Sequence, residues 1–171
     1  MMELFDGLIS RRSIRKYTGK KLLKKDLMGI LKAGMYAPSA RNKQPWHFLV
    51  IDKKELLEQI QEVHPYASML VEAGQAIVVC GDENLQNGPG YWVVDCSAAT
   101  ENILLAAHAK GFGAVWLGVH PREERSKAIE TLLQLPEHIK VLSIIALGYP
   151  AEKKDLPERF NEERIHFNTW R

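Results

Sequence analysis

The sequence predicts one α+β domain, a central sheet flanked by helices. Short apolar runs recur near positions 46, 76, 115 and 141, and these read as strands. Between them lie stretches with helical apolar spacing. No internal repeat, low-complexity segment or linker divides the 171 residues, a length that supports one domain with a real core.

Taken in order, residues 3–10 read as a short helix ending near Arg11. Thr18-Gly19-Lys20-Lys21 is a turn. From Lys24 to Tyr36 the apolar positions 27, 28, 30, 31 and 35 have helical spacing, and Pro38 stops that helix. Trp46 to Asp52 is a buried strand by its β-branched and aromatic content, and Lys54 to Val63 is an amphipathic helix. Ala76 to Cys80 is a short strand between Gly74 and Gly81. Glu83 to Gly90 is a loop punctuated by Gly88-Pro89-Gly90.

Tyr91 to Lys110 is the longest helix and the least amphipathic. Its stretch from Cys96 to Ala107 is small and apolar nearly all round, so it is expected to be buried on most faces. A chain of this size has difficulty burying such a helix alone, which points to the centre of a dimer. Gly111-Phe112-Gly113 caps it. A strand over Ala114 to Val119, a helix over Arg122 to Leu133 and a strand over Val141 to Leu147 follow, and Gly148-Tyr149-Pro150 breaks the last strand. The final twenty residues cannot form a core, yet Ile165, Phe167 and Trp170 are too apolar for a disordered end. Packing against another subunit explains both facts.

Apolar residues make up 46% and charged residues 26%, as in an ordinary globular protein. The start has no basic stretch followed by an apolar one, and no apolar run approaches membrane-spanning length. Cys80 and Cys96 sit in apolar contexts without C-x-x-C spacing. They read as reduced core residues, so a cytoplasmic location is expected. The histidines at 47, 64, 108, 120, 138 and 166 form no metal-ligating pair, so no metal site is expected.

Net charge is +2, but residues 11–25 hold eight Lys or Arg and no acid. Such a cluster can bind nucleic acid. Here the rest of the chain is net acidic, Tyr17 is the only aromatic in the cluster, and no nucleic-acid-binding signature appears. A patch built around one phosphate fits better, with Lys20, Lys21, Lys24 and Lys25 as solvated surface.

Two segments carry the chemistry. Arg11-Arg12-Ser13-Ile14-Arg15-Lys16-Tyr17 offers guanidinium forks and a hydroxyl to an anion. Ala37-Pro38-Ser39-Ala40-Arg41-Asn42-Lys43-Gln44-Pro45-Trp46 is a rigid polar loop feeding a strand, a place for hydrogen bonds to a flat heterocycle. With Gly111–Gly118 and Leu147–Trp170, these segments make the chain resemble the nitroreductase family of FMN-dependent oxidoreductases over nearly its whole length.

The resemblance implies a nitroreductase-like fold: a central mixed β-sheet in an intertwined homodimer. The single FMN-binding domain would span 1–171, with a tail from about 150 to 171 wrapping the partner subunit and adding a strand to its sheet. It also implies tight, non-covalent FMN rather than FAD. Arg11 and Ser13 would approach the phosphate and ribityl oxygens, with Arg12 alongside, and Arg15 would lie at the pyrimidine edge. Asn42 and Gln44 would hydrogen-bond the flavin, and Pro38, Ser39 and Ala40 would shape the ring pocket, all from the second subunit. Val115, Trp116, Leu117 and Gly118 would run under the ring, the backbone of Leu117 and Gly118 tuning the reactive nitrogen. Some members carry an acid where this chain has Leu117. Trp116 reads as core packing and His47 as a strand residue without chemistry. Arg159 would reach the phosphate, with Lys153 and Lys154 as weaker candidates.

A flavin carries its own redox chemistry, so the absence of a Ser-His-Asp set or paired carboxylates is no objection. The expected activity is hydride transfer from NAD(P)H through FMN to a nitroaromatic, a quinone or a flavin, in ping-pong fashion. The expected partners are a second copy and the small acceptor, with no nucleic acid and no membrane. NADH and NADPH are not distinguished, and no G-x-G-x-x-G fingerprint is present. Larger members place a lid insertion where Gly81–Gly90 spans about ten residues, so the substrate side is expected to be more open. Two alternatives remain: a relative that dehalogenates or cleaves flavin, and a flavin-binding protein without turnover.

Overall fold

The computed structural model describes residues 3–170. Met1, Met2 and Arg171, the outermost residues of the domain and tail read from the sequence, lie outside the described residues. The elements are α1 (Leu4–Ser10), α2 (Lys24–Met35), β1 (Trp46–Ile51), α3 (Lys54–Val63), α4 (Leu70–Ala73), β2 (Gln75–Asp82), α5 (Tyr91–Ala109), β3 (Gly113–Gly118), α6 (Glu123–Leu132) and β4 (Ile139–Gly148). Single 3₁₀ turns lie at Ala40–Asn42 and Glu162–Arg164.

The strands form one sheet in the order β1-β2-β4-β3, and every pairing is antiparallel. The mixed character expected of the sheet enters only as one parallel bridge, Ser13 to Ala114. The segment at Ser13 lies along the outer edge of β3, but its contact is too short to count as a strand.

Period-two alternation sends the strand side chains into two cores. Ala76, Val78 and Cys80 of β2, with Ile144 and Ala146 of β4, pack beneath α3, α4 and α6. Ile77 and Val79, with Ile145 and Leu147, pack beneath α2 and α5. The register skips Leu142 between the pairs Val79–Ser143 and Cys80–Val141, a bulge in β4. Cys80 and Cys96 are both buried and free. Burial pushes each thiol up to about 12, so both stay protonated.

The end of α5 follows its sequence closely. Gly111 takes φ 80°, its N–H donates to the His108 carbonyl, and the Phe112 N–H donates to the Ala107 carbonyl, both at 2.9 Å. This double closure satisfies carbonyls that the helix itself leaves open. Helix α4 had no counterpart in the sequence reading. It is a four-residue turn between the buried Met69 and Gly74 (φ 75°), too short to show a period.

Among the described residues the tail is held to the body only at its start, as far as Asp155. The Ala151 N–H donates to the Lys16 carbonyl at 2.8 Å, and Pro150 bridges Tyr17. Farther on, Phe160, Phe167 and Trp170 are exposed. No helix is long and apolar enough to cross a membrane among the described residues.

Gly148 shows how tightly β4 meets α4. A Cβ there would stand 2.7 Å from the Ala73 backbone carbonyl, which cannot rotate away. Gly148→Ala is therefore expected to destabilise the fold by about 1–3 kcal/mol. Urea unfolding checks it. Gly118→Ala, which meets nothing within 4 Å, is the control and is expected to keep its midpoint.

Candidate functional site

Residues 11–17 leave α1 and run extended beside β3. The Ile14 N–H donates to the Ala114 carbonyl at 3.0 Å. Gly113 permits the approach, because a Cβ there would stand 2.8 Å from Ile14 Cγ2. The buried Tyr17 hydroxyl donates to the Ile14 carbonyl at 2.6 Å and closes the segment on itself. Burial raises the Tyr17 pKa, so the phenol stays a donor.

The three arginines of this segment are employed differently. Arg11 pairs with Glu101 of α5 at 3.2 Å. Arg12 donates to the carbonyls of Ile9 at 2.8 Å, Asp155 at 3.0 Å and Arg11 at 2.5 Å, tying α1 to the tail. Arg15 is exposed, and its backbone N–H donates to Glu152 Oε1 at 2.5 Å. That hydrogen bond is the main reason the Glu152 carboxyl titrates below its ordinary value.

Arg15 opens onto a cleft of about 390 Å³ shared with Trp116, Leu117 and Gly118. Val115 and Leu117 are buried in the core below, Trp116 is half-buried, and Gly118 is exposed at the strand end. Nothing stands within 4 Å of where a Gly118 Cβ would be, so β3 presents bare backbone to the cleft. The Gly118 carbonyl is gripped from behind. Arg125 Nη1 donates to it at 2.7 Å and His64 Nε2 at 3.1 Å. His64 Nδ1 accepts from the Tyr66 N–H at 3.3 Å, which assigns the ring proton to Nε2. Burial, followed by the charge of Arg125, lowers the His64 pKa and keeps the ring neutral. Beyond Gly118, the Val119 and His120 N–H groups both donate to the Leu142 carbonyl at the bulge, at 3.1 and 3.0 Å.

The second segment forms a strained loop. Arg41, Asn42 and Gln44 take φ values of 50°, 57° and 49°, conformations that non-glycine residues adopt at a cost. Hydrogen bonds hold them there. The Ala40 N–H donates to Asp95 Oδ1 at 2.9 Å, the Gln44 N–H to Ser39 Oγ at 3.0 Å, and Gln44 Nε2 to Asn42 Oδ1 at 2.9 Å. Asp95 is buried in α5, and its Oδ2 finds no partner among the described residues.

The structure thus gathers Arg15, Trp116, Leu117 and Gly118 into one cleft, with Ser13 on the same strand edge. It does not bring Pro38, Ser39, Ala40, Asn42 or Gln44 into that cleft within one chain. Arg159 lies in the exposed tail, where residues 158–164 alone line a hollow of about 810 Å³. Lys153 and Lys154 share a different hollow with Arg12 and His108. His47 is exposed on β1, 3.9 Å from Asp82. Asp95, His64 and Arg125 were missed by sequence reading. Asp95 left a signal, one of two acids in an otherwise mostly small and apolar helix and the one that is buried. His64 and Arg125 left none, because only the fold places them at Gly118.

The sequence and the fold have close counterparts. The nitroreductase family model matches residues 8–83 and 63–149. A protein of Archaeoglobus fulgidus, provisionally named an NADH dehydrogenase/NAD(P)H nitroreductase, is 51% identical over 99% of this chain and 100% of its own. A solved structure from Parabacteroides distasonis, under the same provisional name, has a TM-score of 0.95 at 39% identity, covering 99% of this chain and 100% of that one. An FMN-dependent nitroreductase of Clostridium difficile has a TM-score of 0.89 at 33% identity, covering 96% and 98%. The chain belongs to the nitroreductase family.

The two half-buried networks around His64 and His108 generate a pH prediction. His108 bonds Ser10 Oγ at 2.7 Å, and burial, then Arg11 and Arg12, lower its pKa. Folding lowers both histidine pKa values below the ordinary 6.5. The unfolded chain therefore binds more protons below that pH, so their stability contribution is complete above 6.5 and is lost as pH falls. The melting temperature is expected to drop between pH 7 and pH 5. The drop should flatten in the double variant His64→Gln/His108→Gln. An unaltered slope in that variant contradicts the assignment.

Proposed function

We propose that this chain is an FMN-dependent oxidoreductase working as a homodimer. The observation that carries the reading is the junction of Arg15 with the bare backbone at Gly118. A flat ring needs an unobstructed face, and the missing Cβ contacts at Gly118 leave one. Bound FMN would supply the hydride chemistry, accepting from NAD(P)H and donating to a nitroaromatic, quinone or flavin in ping-pong order. The names of the A. fulgidus and C. difficile relatives support these cofactors.

The chain's own residues then have these tasks. Arg15 places positive charge at the pyrimidine edge, where reduction builds negative charge. The Leu117 and Gly118 backbone lies beneath the ring, and His64 with Arg125 fixes its orientation through the Gly118 carbonyl. Ser13 and Arg11 face the phosphate end. Gly118 stands four residues along β3 from Ala114, about 13 Å at strand rise, which separates the ring end from the phosphate end. Arg11 reaches a phosphate only by sharing its guanidinium with Glu101. Arg12 commits Nε and Nη1 to carbonyls and acts as a strut between α1 and the tail.

The rest of the site comes from a second copy. Asn42 and Gln44 meet the flavin, and Pro38, Ser39 and Ala40 shape its pocket, from the partner's loop. Arg159 comes to the phosphate once the tail, from about residue 150 on, wraps the other subunit. Exposed apolar residues support this assembly: Leu4, Phe5, Leu8 and Ile9 of α1, Val94 of α5, and the tail aromatics. The two protonated, buried thiols suit a reducing cytoplasm.

Anaerobic stopped-flow mixing with NADH or NADPH tests the reading. The purified protein is expected to carry FMN that bleaches and recovers with an acceptor. Protein that takes up no flavin on reconstitution defeats the proposal. Arg15→Ala should make the flavin harder to reduce by about 1–2 kcal/mol, less than a fully desolvated donor because Arg15 is exposed. An unchanged midpoint potential removes Arg15 from the site. Glu101→Gln should free Arg11 and tighten FMN retention by about 0.2–1 kcal/mol, the range of an exposed ion pair. Looser retention, measured by FMN fluorescence titration, contradicts the assignment of Arg11.

A further inference from the structure

The cleft at Gly118 extends beyond the surface the proposed flavin needs. Its outer wall is made by Tyr66, His120, Pro121, Arg122 and Arg125. With Arg15, the lining holds three guanidiniums and no carboxylate. Among the described residues, none of the three has a carboxylate within ion-pair distance. The acids around it lie outside its lining: Glu152 accepts the Arg15 backbone N–H, Glu72 shares a neighbouring hollow with Lys16, and Glu83, Glu123 and Glu130 share another with Lys127 and Lys140.

The two outer arginines are placed differently. Arg125 is pre-oriented: one N–H is spent on the Gly118 carbonyl at 2.7 Å, and the guanidinium lies over the Tyr66 ring at 5.7 Å. Four of its five N–H donors remain for another acceptor. Arg122 stands at the start of α6, exposed, with its backbone N–H bonded to the Val119 carbonyl at 3.0 Å and no side-chain partner among the described residues. His64 adds no charge, because burial keeps it neutral. A cleft with guanidiniums that no carboxylate pairs, one already anchored to a carbonyl, matches the oxygen geometry of phosphate or carboxylate.

The phosphate of the flavin is not this anion. It would belong to the Ser13 end of the 11–17 segment, about 13 Å along β3 from Gly118. The anion at Arg122 and Arg125 therefore belongs to a second molecule. We propose that this wall is an anion subsite, in which Arg122 and Arg125 take a phosphate or carboxylate group of the substrate that approaches the open face at Gly118. The proposal rests on the flavin reading of that face. Two sources offer this chemistry, the phosphates of the nicotinamide dinucleotide and an acidic group on the electron acceptor.

Three measurements on wild type, Arg122→Gln and Arg122→Glu decide it. Calorimetric titration with pyrophosphate needs neither flavin nor turnover. Wild type should bind it, Arg122→Gln about tenfold more weakly, and Arg122→Glu not measurably. In the reductive arm, NADH is compared with a neutral N-benzyl dihydronicotinamide that lacks phosphates. In the oxidative arm, the dithionite-reduced protein is reoxidised by 4-nitrobenzoate or by neutral 4-nitrobenzamide. Arg122→Gln should raise the charged-to-neutral ratio of half-saturation concentrations about tenfold in one arm, and that arm names the source. Arg125→Gln, whose amide can still donate to Gly118, should move the same ratio in the same direction. Pyrophosphate binding that depends on Arg122 in a protein that takes up no FMN upholds the subsite and defeats only the flavin reading. Pyrophosphate binding that is absent, or equal in wild type and Arg122→Glu, overturns the subsite, as do unchanged ratios in both arms.

Discussion

The seam between residues 11–17 and β3 is the contact on which the site depends. One main-chain hydrogen bond, Ile14 to Ala114, sets the register of that seam. The register decides that Ser13 lies at one end of β3 and Arg15 looks toward the other. Gly113 and Tyr17 protect it, one by leaving room for Ile14 and the other by closing the segment on itself. A slip of one residue would turn every side chain of the segment to the opposite side. Arg15 would then take the place of Ile14 against Gly113, where an unpaired charge is prohibitively expensive. The positions of the charges and the pairing of the backbone therefore reinforce one another.

Much of the fold was legible because local and global preferences agree. The strands at 46, 76, 115 and 141 are apolar runs too short for helices, and each was found within two residues of its expected start. The cap of α5 was legible because only glycine takes φ 80° there at no steric cost. What the sequence hid falls into two kinds. Helix α4 is shorter than any detectable period. The parallel component of the sheet is reduced to one bridge, and strand direction is a property of connections rather than of composition. The site shows the same division. Arg15 and Gly118 could be named from the sequence because their motifs are contiguous, and they line one cleft. The grip on the Gly118 carbonyl joins residues 64, 118 and 125, and nothing local in the sequence announces such a meeting.

A single chain leaves several costs unmet. Three left-handed non-glycine residues crowd one loop, and a buried carboxylate oxygen of Asp95 lacks a partner. Four apolar side chains of α1 and three tail aromatics face water. Fully burying one such side chain is worth about 1.5–3 kcal/mol. The proposed second copy would cover these surfaces and bring the strained loop to the Gly118 face. Asp95 links the two requirements, since the helix expected at the interface also holds that loop through Ala40. Strain stored in a loop is tolerated where the surroundings over-determine it, and functional sites are where that happens.

The central claim is that one chain carries half a flavin site and that a second copy completes it. Native mass spectrometry of the purified protein, sprayed from a volatile buffer at micromolar concentration, tests this directly. The account predicts a dimer carrying two FMN molecules, with flavin loss accompanying dissociation into monomers. A folded monomer that retains one FMN would contradict it.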